Sequence, residues 1–164
     1  MPVTIRRARP DDLPAVSRLA ATLVRQHHAW DQQRFMLIEP VDDGYQWFFS
    51  HELERQAALI LVAEVGGDDA GQPPTLAGYA YATVEGRDWN DLLDACGKLN
   101  DLFVDPAARR RGVARALVNE VFAWFRAQQT PRVVLLSAWR NPDAHAFFEC
   151  LGFRRTMVEM TAEL

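Results

Sequence analysis

The sequence predicts an α/β fold, a sheet flanked by about four helices, and three observations carry that prediction. Residues 58–65, Ala-Leu-Ile-Leu-Val-Ala-Glu-Val, form a near-continuous apolar run, as expected of a strand covered on both faces. Strand-like and helix-like stretches alternate along the whole chain. Residues 99–116 read as a strand that passes through a Pro-containing turn and a basic, glycine-bearing loop straight into a helix.

Taken in order, residues 3–7 are a short β-rich run. Asp11 or Asp12 then offers an N-cap, with Pro14 in the first turn of a helix. Leu13, Val16, Leu19, Ala20, Leu23 and Val24 recur at three- and four-residue steps, so one face of that helix packs. The pattern breaks over residues 26–44, an aromatic connection holding His27, His28, Trp30 and Phe35. Trp30 and Phe35 read as packing residues or as the wall of a substrate pocket. The two histidines lack a third ligand and read as surface or helix-end residues rather than a metal site.

A second helix is expected over residues 45–56. The polar stretch 66–74 is a hairpin loop between the strand at 58–65 and a return strand at 76–85. In the return strand Gly78, Ala80 and Ala82 alternate with Tyr79, Tyr81 and Thr83, and the small residues let another element or a ligand come close. Residues 85–98 are a polar excursion carrying Glu85, Asp88, Asp91 and Asp94 beside Trp89. It reads either as a solvated loop or as a charged attractant for a cationic substrate.

Beyond the central junction, Val113, Leu117, Val121 and Phe125 make a wide apolar stripe with Ala114, Val118 and Phe122. A long helix is expected there, stopped by Pro131. Residues 132–138 predict another buried strand. Asn141 and Pro142 then open a short helix that buries Ala144, Phe147, Phe148 and Leu151 and ends at Gly152. Residues 153–164 alternate loosely and are expected to close the chain as a strand.

At 164 residues and 49% hydrophobic content, residues 1–164 are expected to form a single domain with one sizeable core. A net charge of −4 argues against a general nucleic-acid binder, whose surface must displace counterions. Cys96 and Cys150 are too few for a disulfide framework and have no metal-ligand spacing with the histidines, so no metal is expected. No apolar run reaches the roughly 18 residues of a membrane span, and residues 1–7 lack the apolar region of a signal peptide. A cytoplasmic protein with no membrane partner is the expectation.

The junction at 99–116 has the chemistry of a pyrophosphate grip. The first N–H groups of a helix lack intrahelical partners, and the helix dipole adds partial positive charge to them. Arg109, Arg110, Arg111 and Arg115 surround those donors with full charge, while Gly112 and Ala114 hold little side chain between ligand and backbone. The alternative is a solvated arginine cluster with one turn glycine.

Two motifs resemble the GNAT superfamily of acyl-CoA-dependent N-acyltransferases. Arg109-x-x-Gly112-x-Ala114, following Leu102-Phe103-Val104-Asp105-Pro106, is similar to its pyrophosphate-binding signature. Asn141-x-x-Ala144-x-x-Phe147-Phe148-Glu149-x-Leu151-Gly152-Phe153 is similar to its second signature helix and following strand. The resemblance implies a mixed, twisted sheet whose fourth and fifth strands splay to admit the pantetheine arm of acetyl-CoA. It implies that Leu102, Phe103 and Val104 offer backbone groups to the acetyl and pantetheine portions. Arg110, Arg111, Gly112, Val113, Ala114 and Arg115 would wrap the pyrophosphate, and Asn141, Ala144, Phe147 and Phe148 would line the thiol end.

N-acetyl transfer needs two positioned reactants, a donor to the thioester carbonyl, an acceptor for the amine proton and a stable leaving thiolate. The N–H of Val104 or Phe103 is expected to polarise the carbonyl. The sequence departs from the family at both proton-handling positions: Asn100 stands where several relatives carry a glutamate base, and Phe148 where they commonly carry a tyrosine acid. A water chain ending at Asp101 or Glu85 would serve as base, or Tyr79, Tyr81 or His145 would take over a role. Cys150 reads as packing rather than a nucleophile.

The leading expectation is an enzyme that moves an acetyl group from acetyl-CoA to a primary amine of a small molecule by direct attack in a ternary complex. A protein N-acetyltransferase and a non-catalytic acyl-CoA sensor are the alternatives, the sensor being suggested by Asn100 and Phe148. Family members often pair edge strands or helices between subunits, so a homodimer is expected.

Overall fold

The computed structural model describes residues 3–66 and 74–164. Most of the hairpin loop expected at 66–74 lies outside the described residues. Five strands, β1 (Val3–Arg7), β2 (Ala58–Val65), β3 (Thr75–Glu85), β4 (Cys96–Val104) and β5 (Val133–Leu135), lie in sequence order across one sheet. The first four are mutually antiparallel and β5 runs parallel to β4, so the sheet is mixed as expected. Four helices flank it: α1 (Leu13–Trp30), α2 (Val41–Glu52), α3 (Val113–Ala127) and α4 (Pro142–Glu149).

The sheet has an apolar layer on each face because the first six residues of β2 and the middle of β3 are buried. On one face Leu13, Val16 and Ala20 of α1 and Phe49 of α2 pack against Ile60, Val62, Tyr79, Tyr81 and Phe103. On the other, Val113, Leu117, Val121 and Phe125 of α3 pack against Leu59, Leu61, Ala80, Ala82 and Leu99, with Phe147, Phe148 and Leu151 joining from the α4 region.

Several local expectations are corrected. Asp12 does not cap α1 with its side chain. It accepts two bonds from the Arg6 guanidinium at 2.6 and 2.9 Å and one from the Arg9 N–H, and Arg6 also reaches Glu64. A bidentate, charge-assisted pair outcompetes a cap. The second helix starts at Val41, four residues before the expected Tyr45, because Pro40 sets its entry and Glu39 accepts the Val41 N–H. β5 is three residues long and only half-buried, against an expected buried strand over 132–138. Residues 153–164 form no strand: the backbone groups of 154–164 have no backbone partner among the described residues.

Candidate active site

β4 and β5 pair only from Gly97 to Leu99 and from Val133 to Leu135. From Asn100 onward β4 keeps its partner β3 on one side and has none on the other among the described residues, so the central strands part as expected. A register shift at the same point changes which residues face the opening. Tyr81 lies opposite Asp101 and Ala82 opposite Leu99, leaving Asn100 as the extra residue of a β-bulge.

Which amides face the gap follows from antiparallel pairing, where alternate residues turn both backbone groups toward the partner. The Asp105 N–H donates to the Ala77 carbonyl at 2.8 Å. In that phase Phe103 and Asp101 also turn toward β3. A Cβ placed on Gly78 would meet the Phe103 carbonyl at 2.7 Å, which fixes the same direction. Leu102 and Val104 therefore present their N–H groups to the open side. Of the two amides expected to polarise a thioester, that of Val104 faces the open side and that of Phe103 faces β3.

Beyond Val104, the Asp105 carboxylate accepts the Ala107 N–H at 2.8 Å and shapes the turn at Pro106. The chain then enters α3 through Gly112, whose φ of 81° is the left-handed region that favours glycine. Arg110 also has a positive φ of 61°, a conformation seldom adopted by a side-chain-bearing residue and found most often at functional loops. No side chain caps α3. Among the described residues nothing accepts from the N–H groups of Gly112, Val113, Ala114 and Arg115. A cleft of about 330 Å³ lies over these donors, lined by Val104, Arg109, Arg110, Ala114, Arg115 and Phe147 among others.

The arginines divide their work. Arg109 Nε donates to the Val104 carbonyl at 3.0 Å, and its guanidinium lies 5.9 Å from the Phe103 ring centre. It braces the loop against β4. Arg110, Arg111 and Arg115 are exposed and form no ion pair among the described residues, and Arg110 and Arg115 line the cleft. Asn141 accepts the Ala144 N–H through its side chain at 3.2 Å, so its work is to cap α4. Phe147 reaches the cleft, and Phe148 meets the Phe147 and Phe153 rings edge to face.

The face of the sheet under α1 and α2 carries the proton-handling candidates. The Tyr79 hydroxyl donates to Asp101 Oδ2 at 3.0 Å. Burial pushes the Asp101 carboxyl from its ordinary 3.8 up to about 6, against the opposing pull of that hydrogen bond and of His27. Burial and the neighbouring Asp101 push Tyr45 up to about 12. Tyr79 is likewise raised by burial first and Asp101 second, so both phenols stay protonated. Next along β3, Tyr81 donates to Glu52 Oε2 at 2.5 Å, and Arg55 bonds the same carboxylate. Thr83 donates to Glu85 at 2.6 Å and accepts from the Asn100 side chain at 2.9 Å.

The family model described as "Acetyltransferase (GNAT) family" matches residues 23–153, a span that holds the split sheet, the α3 cleft and both motifs. The chain belongs to the GNAT acetyltransferase family. This GNAT chain is 26% identical over 153 residues to an aminoglycoside N(6')-acetyltransferase type 1 of Stenotrophomonas maltophilia, covering 93% of this chain and 87% of the relative. It is also 26% identical over 113 residues to an uncharacterized N-acetyltransferase of Methanocaldococcus jannaschii, covering 69% of this chain and 46% of that protein. The chain thus spans just under half the length of that archaeal relative.

Among solved structures, a tetramutant of the BH1408 protein of Bacillus halodurans superposes with a TM-score of 0.79 at 21% identity, covering 98% of this chain and 99% of that one. The aminoglycoside N-acetyltransferase AAC(6')-Iy, in a complex with a bisubstrate analog, superposes at 0.77 with 20% identity, covering 100% and 99%. These likenesses establish the GNAT fold.

In this GNAT chain the residues expected at the site fall into two groups on different faces. Of the cofactor-binding candidates, Val104, Arg109, Arg110, Gly112, Val113, Ala114, Arg115 and Phe147 line the α3 cleft, whereas the Phe103 side chain packs on the opposite face of the sheet. Of the carboxylate and amide candidates, Asp101 is buried and its carboxyl is raised, while the Asn100 and Glu85 side chains are both bonded to Thr83. His145 bonds the Ala138 carbonyl at 3.0 Å and braces the turn before α4.

Sequence reading missed the Glu52–Tyr81–Arg55 group and the role of His27, whose ring lies 4.9 Å from Trp30 and 5.0 Å from Phe35 while its charge reaches Asp101. Nothing in the local sequence joins a helix-end histidine to a strand carboxylate 74 positions away; only the fold does.

Proposed function

We propose that this chain transfers an acetyl group from acetyl-CoA to the primary amine of a small molecule, by direct attack within a ternary complex. The observation that carries the reading is the unpaired start of α3, which opens beside the free amides of a split sheet. The residues present fit acetyl-CoA. The N–H groups of Gly112 to Arg115, with Arg110, Arg111 and Arg115, suit a pyrophosphate, and the gap beside Leu102 and Val104 suits an extended amide-bearing arm. Acetyl-CoA would supply the thioester. The Val104 N–H polarises its carbonyl oxygen, a contribution worth about 2.7–4 kcal/mol for a comparable single donor.

Asp101 accepts the amine proton, directly or through one water, since a carboxylate of pKa about 6 is mostly ionised at neutral pH. The leaving thiolate, with a pKa near the roughly 8.5 of cysteine, takes its proton from solvent, because Phe148 offers none. The chain acts on this reading as one catalytic domain, in the cytoplasm, as a homodimer.

The substrate name of the Stenotrophomonas relative and the neamine part of the analogue bound to AAC(6')-Iy place aminoglycosides first among acceptors to try. The test is release of coenzyme A thiol with aminoglycosides, polyamines, amino acids and lysine peptides. Transfer to a small amine supports the reading, and transfer confined to peptides replaces it with protein acetylation. Tight acetyl-CoA binding with no transfer to any of them replaces it with an acyl-CoA sensor, the role that Asn100 and Phe148 favour.

A further inference from the structure

All three tyrosines of the chain gather on the face of the sheet under α1 and α2. Two of them spend their hydroxyls on carboxylates, Tyr79 on Asp101 and Tyr81 on Glu52. Tyr45 does not: its hydroxyl bonds no group among the described residues. Among those residues Ser17 Oγ is the one buried side-chain polar atom without a partner, so the half-buried Tyr45 keeps its hydroxyl open to solvent.

The course of α2 fixes where that hydroxyl lies. Glu52, the last residue of the helix, accepts from Tyr81. One turn back, the Phe48 and Phe49 rings meet Tyr81 at 5.6 and 5.5 Å, and Phe49 also meets Tyr79 at 5.9 Å. Another turn back, Tyr45 packs on Phe49 at 5.3 Å. Residues three and four apart share a helix face, so α2 runs along β3 from Tyr81 toward Tyr79 and carries Tyr45 to the end where Tyr79 holds Asp101. The electrostatics agree, since Asp101 raises Tyr45 and Tyr45 in turn raises Tyr79. A neutral phenol with an unspent oxygen thus stands beside the proposed base.

We infer that Tyr45 is the residue that selects primary amines, by accepting the second N–H of the attacking nitrogen. The inference rests on the proposed acetyl transfer. A neutral primary amine carries a lone pair and a pair of N–H groups. With the lone pair aimed at the thioester carbon, one N–H points to Asp101 and the other to the Tyr45 oxygen, whose lone pairs accept it. As the nitrogen–carbon bond forms, the carbonyl electron pair moves onto the oxygen held by the Val104 N–H, and Asp101 takes the first proton. The carbon–sulfur bond then breaks with its pair on sulfur, and solvent protonates the thiolate. The product amide retains a single N–H, the one on Tyr45. A secondary amine offers Asp101 its only N–H and sets a carbon against the phenol oxygen, which is then desolvated and unpaired.

The test compares each primary amine accepted from a panel of aminoglycosides, polyamines and amino acids with its N-methyl derivative, by thiol release. The wild type is expected to favour the primary amine by about 10²-fold in kcat/KM. Tyr45→Phe keeps the ring and its packing, so the thermal transition should stay where it is. The primary amine should lose about 3–10-fold and the N-methyl derivative nothing, so the preference shrinks by the same factor. A merely structural role for Tyr45 would lower both substrates alike and leave the ratio unchanged. A wild type that takes N-methyl amines as readily, or a Tyr45→Phe variant that keeps the full preference, overturns the role of Tyr45 and leaves acetyl transfer standing. No transfer to any amine overturns acetyl transfer, and the selection with it.

Discussion

Asp101→Asn separates the cost of the proposed base from its use. The rise of its pKa from 3.8 to about 6 means that keeping the carboxyl ionised inside the fold costs on the order of 3 kcal/mol at neutral pH. A carboxyl whose folded pKa lies above its unfolded one holds its proton more tightly when folded. Its contribution to stability is therefore fully present below about pH 4 and is lost as pH rises through 6. Asparagine carries no charge to bury and still accepts from the Tyr79 hydroxyl.

The variant should thus match the wild type in stability at about pH 4 and exceed it, by up to about 3 kcal/mol, above pH 7. Urea denaturation at the two pH values measures this. Transfer should move the opposite way, with kcat falling about 10²–10⁴-fold, as for loss of a general base. The wild-type kcat/KM profile, followed by thiol release, should show a limb near pH 6 that the variant lacks. A variant that is no more stable at neutral pH, or that keeps the limb, would refute the assignment of Asp101.

Tyr79→Phe removes the hydroxyl that holds the Asp101 carboxylate in its ionised form, so the pH 6 limb should move to higher pH in the same assay. Gly112→Val forces a β-branched residue to a φ of 81°; it should cost about 1–3 kcal/mol in thermal unfolding and weaken coenzyme A binding measured by calorimetry. Phe148→Tyr should leave kcat within about threefold if solvent already protonates the thiolate. Gly78→Ala would drive a methyl to 2.7 Å from the Phe103 carbonyl, and a loss of about 1–3 kcal/mol on chemical denaturation is expected as β3 and β4 shift apart.

The parts of this fold that were legible in the sequence are those where local pattern and tertiary environment agree. The apolar run of β2, the stripe of α3 and the Asn141–Pro142 start of α4 each declare their structure within a few residues. The Arg-Gly loop declares its shape for the same reason: Gly112 takes a φ of 81° and leads directly into α3.

What the sequence hid depends on contacts between remote segments. Asp12 looks like a helix cap until Arg6 and Glu64 are brought beside it. The alternation of residues 153–164 is real, yet it produces no strand within the chain, since a pleat pattern specifies a face and not a partner. Arg109 reads as one phosphate ligand among four until the Val104 carbonyl turns it inward.

The feature that joins the two halves of the site is the bulge at Asn100. Before it, the Gly97 N–H points across to the Arg132 carbonyl and ties β4 to β5 at 2.9 Å. One extra residue reverses the phase, so beyond it the residues that face β5 are Leu102 and Val104, and no strand meets them among the described residues. The same reversal turns Asp101 onto the face of Tyr79 and Tyr81, under α1 and α2. Without the bulge, an uninterrupted β4 would carry the 101 side chain on the α3 face and turn the 102 and 104 amides into the pairing with β3. Asn100 does not need a titratable side chain for this. Its amide donates to the Thr83 hydroxyl across the strand pair, which pins the irregularity in place. Asparagine at position 100 thus fits the proposed division of labour, in which residue 100 holds the bulge and Asp101 is the proposed base.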